Sequence, residues 1–81
     1  MIWILANPVA GRGHARRFAE RAALQLQREG IPVELHYTHQ KGHGYQLADQ
    51  AVAQGVETVA VCGGDGTLSE VIPALLNTPT T

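Results

Sequence analysis

The sequence predicts an α/β fold, a parallel sheet with helices on both faces, in the order β-α-β-α-β-α. Three observations carry that reading. Short apolar runs of strand length recur at Ile2–Ala6, Val33–Tyr37 and Glu57–Cys62. A segment with helical apolar spacing follows each of them. Glycines punctuate the joins, among them Gly11, Gly13, Gly30, Gly55, Gly63 and Gly64. Such alternation implies right-handed crossovers and a three-layer α/β/α arrangement.

The first strand, Ile2–Ala6, breaks at Asn7-Pro8 and carries no charged leader, so it reads as a strand rather than a signal peptide. A helix is expected from about His14 to Arg28, with Ala15, Phe18, Ala19, Ala22, Ala23 and Leu26 on one stripe and Leu24 off it. Gly30 stops that helix and Pro32 prevents its return. Arg16, Arg17 and Arg21 form a solvated face, paired in part with Glu20, with weak contact to anionic lipid as the alternative.

Val33, Leu35 and Tyr37 alternate with Glu34 and His36, so the second strand has one wet face or lies at an edge. A second helix is expected from about Gly44 to Gln54. The third strand shows little alternation, which predicts cover on both faces. The third helix is expected to begin near Thr67, because Thr67 and Glu70 have capping-box spacing. Its apolar stripe would be Leu68, Val71, Ile72, Leu75 and Leu76. Pro73 is discordant: a proline in a helix interior costs roughly 3 kcal/mol, which predicts a kink or a later start.

An edge position for the second strand gives the strand order 2-1-3. The two glycine turns then leave neighbouring strands at their C-terminal ends, where open α/β sheets bind ligands. The third strand becomes the other edge. An apolar edge pairs with something, so assembly into a homo-oligomer through that edge is expected.

With 81 residues, 44% of them hydrophobic and 16% charged, the chain has globular composition and length for one small domain. So short a chain buries a smaller fraction of its surface and should be marginally stable. A net charge of −1 gives no electrostatic case for nucleic acid. The single cysteine, Cys62, excludes an internal disulfide and fits a reducing, cytoplasmic setting. It reads as a small hydrophobe. No apolar run approaches the ~20 residues that span a bilayer.

The segment Val59-Ala60-Val61-Cys62-Gly63-Gly64-Asp65-Gly66-Thr67 carries the most chemistry. A buried strand that breaks into glycines and then starts a helix is the recipe for a phosphate site. Glycines admit an anion close to the backbone, and a helix N-terminus offers unpaired N–H groups. The bland alternative is a tight turn with Asp65 as helix cap. Asn7–Gly13 is a second such turn, either a ligand contact or turn chemistry alone. Thr38 ends the second strand, where a strand-end cap is the plain reading. His36, His39 and His43 have no carboxylate at regular spacing and do not read as metal ligands.

Gly63-Gly64-Asp65-Gly66-Thr67 resembles the signature of the diacylglycerol, sphingosine and NAD kinase superfamily. Asn7-Pro8-Val9-Ala10-Gly11-Arg12-Gly13 is similar to the Asn-Pro-x-Ser-Gly-x-Gly turn of the diacylglycerol kinase catalytic domain. Thr38, then Gly42-His43-Gly44 and Leu47-Ala48, resembles that family's Thr…Gly-His-Ala…Leu-Ala stretch, and Thr67–Val71 its Gly-Thr-x-x-Glu-Val continuation. Three ordered motifs make a specific likeness. The departures are Arg12 for the frequent lysine, Ala10 for the usual serine, and Pro73 where Asn-Gly is common.

The resemblance implies a lipid kinase that transfers the γ-phosphoryl group of ATP to a diacylglycerol or sphingoid hydroxyl. ATP and Mg²⁺ would be its cofactors, with the metal ligands mainly in parts of the family that lie beyond this chain. Nucleotide contacts would fall on Asn7, Pro8, Gly11, Gly13, Thr38, Gly63, Gly64, Asp65, Gly66, Thr67, Leu68 and Ser69. Asp65 would lie near the transferred phosphate as the catalytic candidate. The likeness covers nearly all of the chain and about the first quarter of a family member. Residues 1–81 are therefore expected to be the N-terminal part of a nucleotide-binding domain. Such a piece should have no turnover of its own, its parent being cytoplasmic with transient membrane contact. The rivals are an NAD kinase-like enzyme, opposed by Asn7-Pro8-x-x-Gly and Ser69-Glu70-Val71, and a non-catalytic module that dimerises through the third strand.

Overall fold

The computed structural model describes residues 1–81, the side chain of Asp65 excepted. Strands β1 (Ile2–Ala6), β2 (Val33–Tyr37) and β3 (Thr58–Cys62) alternate with helices α1 (His14–Arg28), α2 (His43–Ala53) and α3 (Asp65–Leu75). The sheet is parallel, in the order β2-β1-β3, as the half-wet second strand predicts. Ile2 lies opposite Val33 and Thr58, and Ala6 opposite Tyr37 and Cys62. The three C-terminal strand ends are therefore level, and the loops that begin at Asn7, Thr38 and Gly63 leave the sheet side by side.

The central strand is the most buried. Trp3 and Leu5 face α2 and α3, and pack with Leu47, Ala48, Ala51, Val59, Val71 and Ala74. Ile4 and Ala6 face α1 and pack on Ala19 and Ala23. The two alanines let α1 lie close to the sheet. Trp3 also packs beside the His36 ring, with centroids 4.1 Å apart. Beside Tyr37 of β2, whose hydroxyl donates to Glu20 at 3.0 Å, Arg16 meets Glu20 at 3.6 Å, an exposed pair of the kind the sequence predicts.

Several expectations need correction. β3 is not covered on both faces: Val59 is buried beneath α2 and α3, but Ala60, on the α1 side, is exposed. The α1 core gathers side chains of β1 and β2 and only Cys62 from β3. Phe18 is 68% exposed for the same reason, since α1 is centred on the other strands. The expected α3 stripe splits: Val71 is buried and Leu75 partly so, whereas Leu68, Ile72 and Leu76 are exposed, and Ala74, outside that stripe, is buried instead. α3 starts at Asp65, earlier than Thr67, and runs on through Pro73.

The last residues lie along β3. Thr81 N–H donates to the Glu57 carbonyl at 2.9 Å, and Val59 N–H donates to the Thr81 carbonyl at 2.6 Å. This is parallel strand pairing. The buried Thr80 hydroxyl adds a bond to the Val56 carbonyl at 2.6 Å. The chain's own C-terminal residues thus occupy the N-terminal half of the edge expected to pair two copies. Among the described residues no helix is long and apolar enough to cross a membrane.

Candidate functional site

The loops after β1 and β2 and the start of α3 line a cleft of about 740 Å³. The β1 loop contributes Asn7, Pro8 and Val9; the β2 loop Thr38, His39, Gln40 and Lys41; and α3 Gly66, Thr67, Ser69 and Glu70.

Local chemistry fixes each wall. Asn7 N–H pairs with the Cys62 carbonyl at 2.9 Å, and the Asn7 side-chain oxygen accepts from Val9 N–H at 3.2 Å. That Asx turn folds the chain sharply behind the strand. Gly11, Arg12 and Gly13 follow at φ of 59°, 57° and 88°. Glycine adopts such angles freely, but Arg12 does so against a steric cost.

Thr38 is buried at the strand end. Its N–H donates to the Ala6 carbonyl at 2.8 Å, and its hydroxyl lies 3.4 Å from the same oxygen. The strand-end role is thus present in the geometry, and the hydroxyl's lone pairs remain to accept a bond from a ligand.

Three glycines of the 63–66 turn serve different purposes. A Cβ on Gly63 would stand 2.9 Å from Thr67 Oγ1 and 3.4 Å from Asn7 Cβ, so glycine there lets the two glycine turns touch. Gly64 and Gly66 have negative φ, and a Cβ on either would meet nothing within 4 Å. Gly64 is the N-cap of α3, at φ −92° and ψ −173°, and no side chain caps the helix there. Among the described residues, the first-turn N–H groups and the positive end of the helix dipole therefore have no side-chain partner.

The capping box expected within α3 does not form. Thr67 lies inside the helix instead of at its N-cap, and Glu70 accepts a bond from the Gly42 N–H, in the loop before α2. The geometry was hidden from sequence because capping-box spacing says nothing about which helix is capped.

Of the residues singled out by motif, Asn7, Pro8, Thr38, Gly66, Thr67 and Ser69 line the cleft. Gly63 lines instead a shallower groove of about 380 Å³ with Phe18 and Cys62. Gly11, Gly13, Gly64 and Leu68 line neither. The Asp65 side chain lies outside the described residues. Val9, His39, Gln40, Lys41 and Glu70 also line the cleft, although none was expected as a nucleotide contact. Lys41 had a readable signal: it is the chain's only lysine and lies between two motif segments. Partial burial pushes the Cys62 thiol pKa up, which fits a packed side chain and not an activated nucleophile. Among the described residues no three His, Cys, Asp or Glu side chains are grouped to hold a metal ion.

Comparisons with known proteins agree with this architecture. The model of the diacylglycerol kinase catalytic domain matches residues 1–81. The chain is 44% identical over 50 residues to the "Probable lipid kinase YegS-like" of Xanthomonas campestris pv. campestris, covering 62% of this chain and 16% of that protein. It is 38% identical over 66 residues to the protein of the same description from Klebsiella pneumoniae, covering 82% and 22%. A solved structure of a candidate diacylglycerol kinase from Bacillus anthracis str. Sterne superposes with a TM-score of 0.78 at 23% identity, covering 99% of this chain and 29% of that one. The chain thus spans less than a third of the length of each of these relatives. A family match over every residue, on a fold of the same topology, leads to one conclusion: the chain belongs to the diacylglycerol kinase catalytic domain family.

Proposed function

We propose that the chain is the nucleotide-binding part of an ATP-dependent lipid kinase, which transfers the γ-phosphoryl group to a lipid hydroxyl of diacylglycerol or sphingoid type. The observation that carries this reading is the pair Gly64 and Gly66. Neither has a positive φ or a neighbour that would exclude a Cβ. Glycine within a helix costs about 1 kcal/mol relative to alanine, and the fold gives no return for it at Gly66. Open space over a helix N-terminus suits an anion that approaches the backbone closely.

The remaining walls suit the rest of a nucleotide. The β2 loop provides a cation, Lys41, with Thr38 and Gln40 beside it in sequence, and the β1 loop provides Asn7. The work assigned to these residues is to bind and orient ATP, since phosphoryl transfer depends chiefly on positioning and charge neutralisation. The described residues do not fit a complete Mg²⁺ site, and no step is assigned to a metal. Asp65 is proposed to lie beside the transferred phosphate. The lipid pocket belongs to parts of the enzyme beyond this chain, so the segment alone should bind nucleotide without turnover. The full-length enzyme would be cytoplasmic and would meet its substrate by transient contact at a membrane surface.

The test is an assay of the full-length protein with γ-labelled ATP against diacylglycerol vesicles, a sphingoid base and NAD. Label in the lipid supports the proposal. Label in NAD alone overturns it in favour of the NAD kinase-like reading.

A further inference from the structure

We propose that Glu70 is a positioning residue that clamps the β2–α2 loop, residues 38–42, and so fixes the wall of the cleft that carries Lys41. The proposal rests on the nucleotide reading of that cleft. Gly42 N–H donates to Glu70 Oε2 across 28 positions of sequence. Gly42 is the N-cap of α2, at φ +86°, and α2 has no side-chain cap of its own. Glu70 therefore makes the backward half of a capping box in trans, from α3 to the start of α2. Its negative charge sits at the positive end of the α2 dipole.

Gly44 makes the same contact tight from the next turn. A Cβ there would stand 2.9 Å from Glu70 Oε1 and 3.3 Å from Glu70 Cβ. One carboxylate oxygen accepts from Gly42, and the other packs against Gly44. The loop so held is also closed on itself. His39 N–H donates to His43 Nδ1 at 3.0 Å, and His43 N–H donates to the Gln40 carbonyl at 3.1 Å. His39, Gln40 and Lys41 thus face the cleft from a compact loop with one tie to α3 through Glu70. Glu70 lies one helical turn beyond Gly66 and Thr67, so the clamp links the anion-facing end of α3 to the cation-bearing loop. The arrangement also explains a carboxylate in the wall of a phosphate cleft: its charge is directed at α2.

The experiment uses the 81-residue chain as wild type, Glu70→Gln, Glu70→Ala and Glu70→Asp. Amide hydrogen exchange of the free chain reports the loop, and calorimetric titration with Mg-ATP reports the cleft. In Glu70→Ala the amides of residues 39–42 should exchange about tenfold faster, the effect of losing one charge-assisted bond, with the β1 amides unchanged. Mg-ATP affinity should fall by about the same factor. Glu70→Gln should restore part of both, because a carboxamide oxygen still accepts from Gly42 but carries no charge. Glu70→Asp keeps the charge but withdraws it by one methylene. It should behave as Ala does, and it provides the milder variant should Ala melt the helix. Unchanged loop exchange in both Ala and Asp overturns the clamp. A loosened loop with unchanged affinity overturns its link to the cleft. Absence of Mg-ATP binding by wild type overturns the nucleotide reading instead, while the exchange arm still decides whether Glu70 holds the loop.

Discussion

Gly63 and Thr67 are in contact across the first turn of α3, so closely that a Cβ on Gly63 would stand 2.9 Å from the Thr67 hydroxyl and 3.2 Å from its Cβ. Thr67 is buried, and Asn7 closes the other side. None of these atoms is the far end of a long side chain, so a methyl group would displace the turn. Gly63→Ala should therefore destabilise the chain by about 1–3 kcal/mol, the usual cost of overpacking. Thermal unfolding followed by circular dichroism measures it, and an unchanged melting temperature would contradict the packing described.

Gly64 should respond in the opposite way. Its extended backbone is that of an ordinary N-cap, and among the described residues no side chain caps α3. Serine at this position can accept a bond from the helix's first turn, so Gly64→Ser should leave stability unchanged or raise it by a few tenths of a kcal/mol. The same hydroxyl would occupy the N–H groups proposed for phosphate, so Mg-ATP affinity should fall. Paired melting and titration curves would show the two effects diverging.

Pro73 interrupts the hydrogen-bonding ladder of α3 but does not end the helix. Its side chain is exposed, so it contributes little packing to offset the lost bond. Pro73→Ala should raise stability by about 1–3 kcal/mol. Chemical denaturation gives the value, and a loss of stability would show that the ring has a packing role.

Burial raises the Cys62 thiol pKa. The folded state thus favours the neutral thiol. Its contribution to stability is present below the unfolded thiol's pKa and is lost as pH rises through the folded one. Alkylation at neutral pH should be slower than for a free cysteine peptide, and the pH–rate profile should be displaced upward. A profile displaced downward would mark an activated thiol instead.

How much of this was legible in the sequence depends on whether a feature is local. The strands at Ile2–Ala6 and Val33–Tyr37 were readable because apolar run and alternation are properties of adjacent residues. The order β2-β1-β3 followed from the wet face of Glu34 and His36. Phe18, Leu68 and Ile72 sit at helical spacing with buried neighbours yet are exposed, because the width of a helix's apolar face depends on how far the sheet extends beneath it. Of the residues that line the cleft, Asn7, Pro8, Thr38, Gly66, Thr67 and Ser69 stand in the motifs read from sequence, and Lys41 does not. Glu70 was seen but paired with Thr67, when its partner is Gly42, on another loop. Spacing along one helix cannot encode a bond between two.

The most direct test of the central claim is calorimetric titration of Mg-ATP into wild type and Gly66→Ala. Beyond its chain neighbours and its own helix backbone, a Cβ at Gly66 meets nothing within 4 Å, and alanine is the better helix former. The account predicts weak binding by wild type, and a variant that is folded, at least as stable, and about tenfold or more poorer in affinity, a difference of roughly 1.4 kcal/mol. Equal affinity in a folded Gly66→Ala chain would show that glycine at this turn makes no room for a nucleotide, and would contradict the account.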